Sequence, residues 1–490
     1  MSDRCRTDTA DPGFVAEIAL HHSQATLMRR LPFPLASSAA ALALAVTALH
    51  APAVRAQAPA APDPAATAKL TDVARRAVVD TLAARLRRHY VGADTGAMIA
   101  DRMLARLSAH AYDTITSPGR FAEALTVDLR SVNGDRHLNV SYSPGRPGAR
   151  PGPEGIRMGA PPPTTPGRPA PAAPANDPGR RNNYSLGRVD ILPGNVGYLD
   201  IRGFAGSPGV VGAIKAALEY LQGTDAIIFD LRRNGGGSPF SVNQIISSFT
   251  TADTIPSLTV KNRSGNQTFT RYTLPEGAGP RRPTVPLYVL TSGATASAGE
   301  DFTFVLKNMH RATIVGGTTA GAGHNNANLD IGQGFNASIS FTRVVDPKTG
   351  AEWERVGVIP DVPVDQARAL DVAHALALKT IAANEQDPRM RRVLDLTRET
   401  IEAQATPRTI AAATLDKYAG EYEGGRTLTV QSGRLMYSPR AGAPPDALVA
   451  LNDSTFAFGA VRLAFERDGN RMRLRTTPPE GEPLTYARVR

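Results

Sequence analysis

Between residues 195 and 317 short apolar runs alternate with helix-patterned segments: NVGYLDI, PGVVGAIKAALEYLQ, DAIIFDL, FSVNQIISSF, VPLYVL, a helix from Ala298 to Met309, and RATIVGG. The strand-like runs are almost continuously apolar. A strand with one wet face alternates apolar and polar residues, whereas a strand covered on both faces does not. Strands of this kind separated by helices predict a mostly parallel sheet with helices packed on it, an α/β core that extends to about residue 381.

In such sheets the reactive groups sit on loops that follow the strands. Two of these loops are unusual. DLRRNGGGS (230–238) follows the second strand, and its glycines let backbone N–H groups approach a ligand closely. It lacks the GK[ST] ending of a phosphate loop. TSGATASAGE (291–300) follows the third strand and opens a helix. Ser297 stands there among small residues. Its spacing to Glu300 predicts a helix cap and capping box; the same position also suits an exposed nucleophile with an adjacent N–H for an oxyanion hole.

The flanking regions differ in pattern. Residues 70–88, 95–110 and a segment opening at Ser117-Pro118 carry apolar residues at helical spacing, which predicts a helical N-terminal domain over 65–142. Residues 143–183 are dominated by Pro, Gly, Ala and Arg and read as a linker. The core is expected over 184–385. Residues 410–490 alternate apolar and polar residues, with a turn at Asp468-Gly469, and read as a small antiparallel β domain. Residues 1–56 read as a signal peptide and upstream segment: two arginines, an Ala/Leu-rich stretch and small-x-small cleavage patterns follow Met28, which reads as the translation start. A retained signal anchor is the competing reading. Export to the periplasm or cell exterior, with no stable membrane insertion, is the expectation.

The only cysteine of the 490 residues, Cys5, lies in that leader. A processed chain therefore has no disulfide framework, thiol nucleophile or Cys-based metal site. Net charge is +10, and six of the arginines fall within residues 143–181. No basic stripe with interleaved aromatics appears, which argues against nucleic acid as a partner.

The two loops, together with the downstream WERVGVIPDVPV, resemble the S41 family of serine peptidases. That family includes the tail-specific C-terminal processing peptidases, the tricorn core and the retinoid-binding-protein modules. SPGRFAEALTVDLRSVNGDRHLNV resembles the N-terminal domain of the retinoid-binding branch. The resemblance implies a crotonase-like α/β spiral core, Ser297 as nucleophile, and oxyanion donors on Ala298 and on Gly236 or Gly237. It implies peptides or unfolded proteins as substrates and no cofactor or metal. The processing peptidases carry a lysine base 25 residues after the serine; here Ala322 stands at that position. The base expected instead is His137, at the position of the tricorn-like histidine, with His324 the rival and Glu354 supporting the network. Glu352 is the competing assignment for Glu354, and Asp135 is expected to orient the loop that carries His137. A non-catalytic module for apolar ligands, or an esterase on the same site, is the alternative function. Oligomeric state is left open.

Overall fold

The computed structural model describes residues 70–144, 176–207, 209–251, 254–263, 265–479 and 481–490. The expected leader with Cys5, and most of the expected linker, lie outside these residues. The chain opens on three helices, α1 (Asp72–His89), α2 (Ala93–Ser108) and α3 (Pro118–Arg130). Thr71 caps α1 by accepting the Ala74 N–H at 3.2 Å, satisfying a donor that helix geometry leaves orphaned. Ser117 is the N-cap of α3, with Pro118 in its first turn. Strand β1 (Asn139–Tyr142) follows. The end of the expected linker is ordered: Pro178–Ser185 forms a 3₁₀ helix capped by Asp177.

The α/β segment then runs through β2 (Leu186–Leu192), β3 (Val196–Ile201), α4 (Val210–Tyr220), β4 (Ala226–Asp230), α5 (Pro239–Ser248), β5 (Pro256–Asn262) and β6 (Gln267–Tyr272). It continues with β7 (Leu287–Thr291), α6 (Ala298–Asn308), β8 (Ala312–Gly316), β9 (Asn325–Gly332), β10 (Phe335–Val345), β11 (Val362–Pro363), α7 (Ala369–Asn384) and α8 (Pro388–Ala405).

One sheet has the order β11-β8-β7-β4-β3-β2, parallel except at the β2–β3 edge. All residues of β3, β4 and β7 are buried, which explains their continuous apolar runs. Ile227 and Phe229 face a core shared with Ile214, Val242 and Phe302 on α4–α6. Ile228 faces the other side, against Ala373, Ala377 and Leu378 of α7. The strand period of two thus feeds two helical layers.

A second, antiparallel sheet of order β1-β10-β5-β6, with β9 also on β10, was not anticipated. Its strands β9 and β10 interleave Asn, Ser and Thr with Ala327, Leu329, Ile331, Phe335, Ala337, Ile339 and Phe341, an alternation that marks strands and that the sequence reading passed over. It changes the picture of the N-terminal segment. Val78, Leu82, Ile99, Met103 and Phe121 of the helices share one core with Leu329, Phe335 and Ile339 of β9 and β10. The three helices therefore complete their burial against strands some 200 residues further along. The α/β architecture with a helical N-terminal part is as expected.

The C-terminal segment holds a four-stranded and a five-stranded antiparallel sheet. Strands Val461–Asp468 and Arg471–Thr477 pair Asp468 with Arg471 across the turn, and Gly469 adopts φ 58° there, the conformation a tight hairpin demands. Tyr418 stacks on Phe465 at 4.2 Å in its core.

Candidate active site

Strand β7 delivers the chain to the loop before α6, and that loop is tied to the glycine loop after β4. Ser292 Oγ donates to the Arg232 carbonyl and Thr295 Oγ1 to the Leu231 carbonyl, each at 2.7 Å. Thr291 Oγ1 donates to Gly317 at 2.8 Å. Buried Asn234 closes the junction: its carbonyl accepts the Ala296 N–H at 2.9 Å, and its Oδ1 accepts the Gly236 N–H at 2.9 Å. Of the loop's hydroxyl residues, Ser297 alone lines a cavity of about 960 Å³, together with Ala298, Gly237, Ala322, Gly323 and His324.

Ser297 is the N-cap of α6 and has φ 52°, ψ −116°. That conformation costs a non-glycine residue on the order of 1–3 kcal/mol and persists only where surroundings enforce it. The enforcing contacts are explicit. The Ser297 N–H donates to Glu300 Oε2 at 2.9 Å, the Glu300 half of the expected capping box, and the Ser297 carbonyl accepts the Asp301 N–H at 2.9 Å. Gly236 lies so close that a Cβ there would sit 2.8 Å from the Ser297 Cβ.

The N–H of Ala298, in the first turn of α6, has no intrahelical acceptor because helix geometry leaves it none. The expected glycine donors separate. The Gly236 N–H is committed to Asn234. Gly237 lines the cavity, and its backbone is held by a bridge to Phe204, with Phe204 N–H on the Gly236 carbonyl and Ser238 N–H on the Phe204 carbonyl. Gly237 and Ala298 thus both border the cavity, whereas Gly236 packs against Ser297.

Four titratable groups from distant segments cluster around His324, the one of them that lines the cavity. His324 Nδ1 lies 3.5 Å from Asp135 Oδ2 and 3.8 Å from Glu354 Oε2. His137 Nδ1 lies 3.8 Å from Asp135 Oδ1, and the His137 N–H donates to that oxygen at 2.9 Å. Asp135 is fully buried and accepts the Tyr90 hydroxyl at 3.0 Å. Glu354 accepts the N–H groups of Gly323 and His324 at 2.7 and 3.1 Å. Burial pushes the Asp135 carboxyl up, but His324 beside it and the His137 N–H outweigh this and hold it at about 2. Burial pushes the His137 imidazole down against the pull of Asp135, with His324 and Arg130 adding to the push. Burial also pushes Glu354 up, opposed by His324.

The expected residues are thus brought into one region, with roles redistributed. His324 lines the cavity with Ser297. His137 is not among the lining residues and stands behind Asp135, its Nδ1 buried without a hydrogen-bond partner. Glu352 is excluded from the cluster, because it pairs with Arg343 at 2.7 Å. Lys307 is spent on Asp361 at 2.7 Å. Ala322, at the lysine position of the processing peptidases, does lie on the cavity wall. Asp135, His324 and Glu354 bring one ligand atom each within 4.8 Å of one another, a spacing that suits a metal ion, but the Asp135 and Glu354 oxygens nearest His324 already accept hydrogen bonds.

Two residues escaped the sequence reading. Glu300, read only as a capping residue, also accepts Thr319 Oγ1, Gly321 N–H and Ala322 N–H at 2.6, 2.6 and 2.8 Å. Asn234 joins the two loops. The signal for both was their place inside the two unusual loops.

Residues 195–364 match the model of peptidase family S41, and residues 69–172 match the model described as the N-terminal domain of this peptidase in eukaryotic IRBP. The chain belongs to peptidase family S41. This S41 chain is 31% identical over 180 residues to a carboxyl-terminal-processing protease of Synechocystis sp., an alignment covering 36% of this chain and 40% of the relative. It is 27% identical over 175 residues to the carboxy-terminal processing protease CtpB of Bacillus subtilis, covering 35% and 34%. The alignments thus span well under half the length of these relatives. A lipoprotein structure from Streptococcus agalactiae is 15% identical, with a TM-score of 0.43, over 62% of this S41 chain and 96% of that one. Among the described residues no helix is long and apolar enough to cross a membrane.

Proposed function

We propose that this chain is an exported serine peptidase that cleaves peptide bonds in peptides or unfolded proteins. The observation that carries the reading is Ser297: a strained N-cap serine on the wall of a cavity that Ala298, Gly237 and His324 also line. Its hydroxyl attacks the scissile carbonyl carbon. The proton passes to His324, whose Nδ1 lies 3.5 Å from Asp135 Oδ2, so Nε2 is the nitrogen assigned to take it. The N–H groups of Ala298 and Gly237 hold the tetrahedral oxyanion. The protonated histidine then gives its proton to the leaving amine, and water hydrolyses the acyl-enzyme by the same route in reverse. Asp135, ionised throughout the neutral range, favours the imidazolium that forms. Export rests on the leader pattern of residues 28–58.

A second assignment, with His137 as base, is favoured by its family position and by its unpartnered buried Nδ1. Labelling with a fluorophosphonate separates the two. The wild type is expected to be modified at Ser297, located by mass spectrometry, and the base is the histidine whose alanine variant loses the labelling. A folded wild type that is not labelled overturns the peptidase reading and supports the apolar-ligand carrier. Labelling with ester hydrolysis but no peptide hydrolysis supports the esterase.

A further inference from the structure

Asp135, His324 and Glu354 reach one place from three segments: the loop before β1, the glycine loop before β9 and the loop before β11. Asp135 is fully buried, and the side chains of Glu354 and His324 are only 8% and 12% exposed. Among the described residues every ion pair of Asp135 and Glu354 is with an imidazole. A buried carboxylate needs a cation or a metal to offset its lost hydration, and an imidazole supplies charge only when it is protonated. Two buried carboxylates around neutral imidazoles form a negative cluster that a divalent ion balances.

The spacing agrees with such an ion. Zinc bonds of about 2.0–2.1 Å at tetrahedral angles set ligand atoms about 3.4 Å apart. His324 Nδ1 stands 3.5 Å from Asp135 Oδ2 and 3.8 Å from Glu354 Oε2, and the three groups each place a ligand atom within 4.8 Å of the others. The hydrogen bonds that the carboxylates accept support this role. A carboxylate has lone pairs to spare, and metal-ligating carboxylates are held in place by hydrogen bonds. Tyr90 holds Asp135 Oδ2 with one bond, and the N–H groups of Gly323 and His324 hold Glu354 by Oε2, leaving its Oε1 for the ion. One imidazole and two carboxylates are a zinc ligand set, with a fourth position open to water.

We propose that Asp135, His324 and Glu354 form a zinc site whose filling shuts the peptidase off. The inhibition rests on the peptidase reading with His324 as base; the site itself does not. Zinc takes the Nδ1 lone pair of the neutral imidazole. The ring's one proton then sits on Nε2, moved there by exchange with water, and none is lost. Nε2 has no lone pair left to accept the Ser297 proton. Loss of a general base lowers the rate by about 10²–10⁴-fold.

Calorimetric titration of tag-free, chelator-dialysed wild type with zinc chloride tests the site. One zinc per chain is expected, with a rise in melting temperature. Glu354→Gln and His324→Ala, each checked for folding by circular dichroism, are expected to lose that binding. Cobalt(II) is expected to give the visible absorption of a four-coordinate ion in the wild type. Binding that is absent, or that persists unchanged in both folded variants, overturns the site. The cobalt spectrum needs no variant, so its absence overturns the site even where both variants misfold. Fluorophosphonate labelling of the same preparation reads the consequence. Zinc is expected to slow labelling of Ser297 by about 10²-fold or more, and the chelator to restore it. Bound zinc with undiminished labelling overturns the inhibition. A folded, zinc-free wild type that is never labelled overturns the peptidase reading and the inhibition with it, while the zinc titration still decides the site.

Discussion

The Glu300 carboxylate accepts the backbone N–H of Ser297 at 2.9 Å while sitting fully buried beneath it. The same oxygen accepts the Ala322 N–H, and its twin accepts Thr319 and Gly321. One side chain thus sets the position of Ser297 and of the loop that leads to His324. Burial pushes this carboxyl up against the donors that favour its charge.

Glu300→Gln keeps the shape but turns an NH₂ toward N–H donors. Two of the four accepted bonds are lost, so the variant is expected to be less stable by about 3 kcal/mol and to lose turnover by about 10²-fold. Urea unfolding and steady-state kinetics check the two effects. Wild-type turnover in a folded variant refutes the assigned role.

Ser297 carries both strain and chemistry, and two variants part them. Ser297→Ala is expected to abolish fluorophosphonate labelling and lower hydrolysis by about 10⁴-fold. Ser297→Gly is expected to be equally inactive but more stable, by about 1 kcal/mol, because glycine holds φ 52° without a Cβ clash. A lower melting temperature for the glycine variant contradicts the strain.

The two loop glycines differ in what a methyl group meets. At Gly237 it would lie 2.0 Å from the Phe204 carbonyl oxygen, a backbone atom with little freedom to shift. At Gly236 it would press on the Ser297 Cβ. Gly237→Ala is expected to unfold at lower temperature than Gly236→Ala, and Gly236→Ala to slow labelling by tenfold or more while it remains folded. Calorimetry with labelling kinetics measures both.

Acid is expected to destabilise the protein in two stages. The His137 pKa is depressed in the folded state, so the unfolded chain takes up its proton first as pH falls through about 6.5, and stability drops from there. Asp135 is held at about 2, so its contribution, full above its unfolded value of about 3.9, is lost as pH falls toward 2. Urea titrations from pH 7.5 to 5 are expected to show the first stage, which His374, also pushed down by burial, shares, and His137→Gln to reduce its slope. An unchanged slope in the variant refutes the attribution.

Tyr90 reaches the cluster from the helical segment and donates to Asp135. Tyr90→Phe is expected to slow labelling by about tenfold and to move the acid limb of its pH profile upward, since Asp135 loses a donor that shares its charge. A slower rate with an unmoved limb indicates a packing role only.

Much of the architecture was legible because it rests on local pattern. β3, β4 and β7 are buried on both faces, so their apolar runs carried their own assignment. Ser117-Pro118 announced a helix start, and the two loops stood out by composition. Ser297 was legible as a hydroxyl residue set among small residues between an apolar strand and a helix. The β5–β6 and β9–β10 hairpins went unread although β9 and β10 alternate apolar and polar residues; what no local pattern tells is that the helices of the N-terminal segment close their core on them. The base shows the same limit. His137 was expected from the family resemblance and His324 from its glycine loop, and which imidazole lies on the cavity wall is a tertiary relation.

What the sequence by itself determined is the local order of strand, reactive loop and helix, because backbone propensity and apolar period act over a few residues. Only the tertiary structure decided that Asp135 stands between two histidines, that Glu300 also holds the loop of Thr319, Gly321 and Ala322, and that β6 borders the cavity. Those relations join residues up to 189 positions apart, and long-range packing, which no local pattern encodes, brings them together.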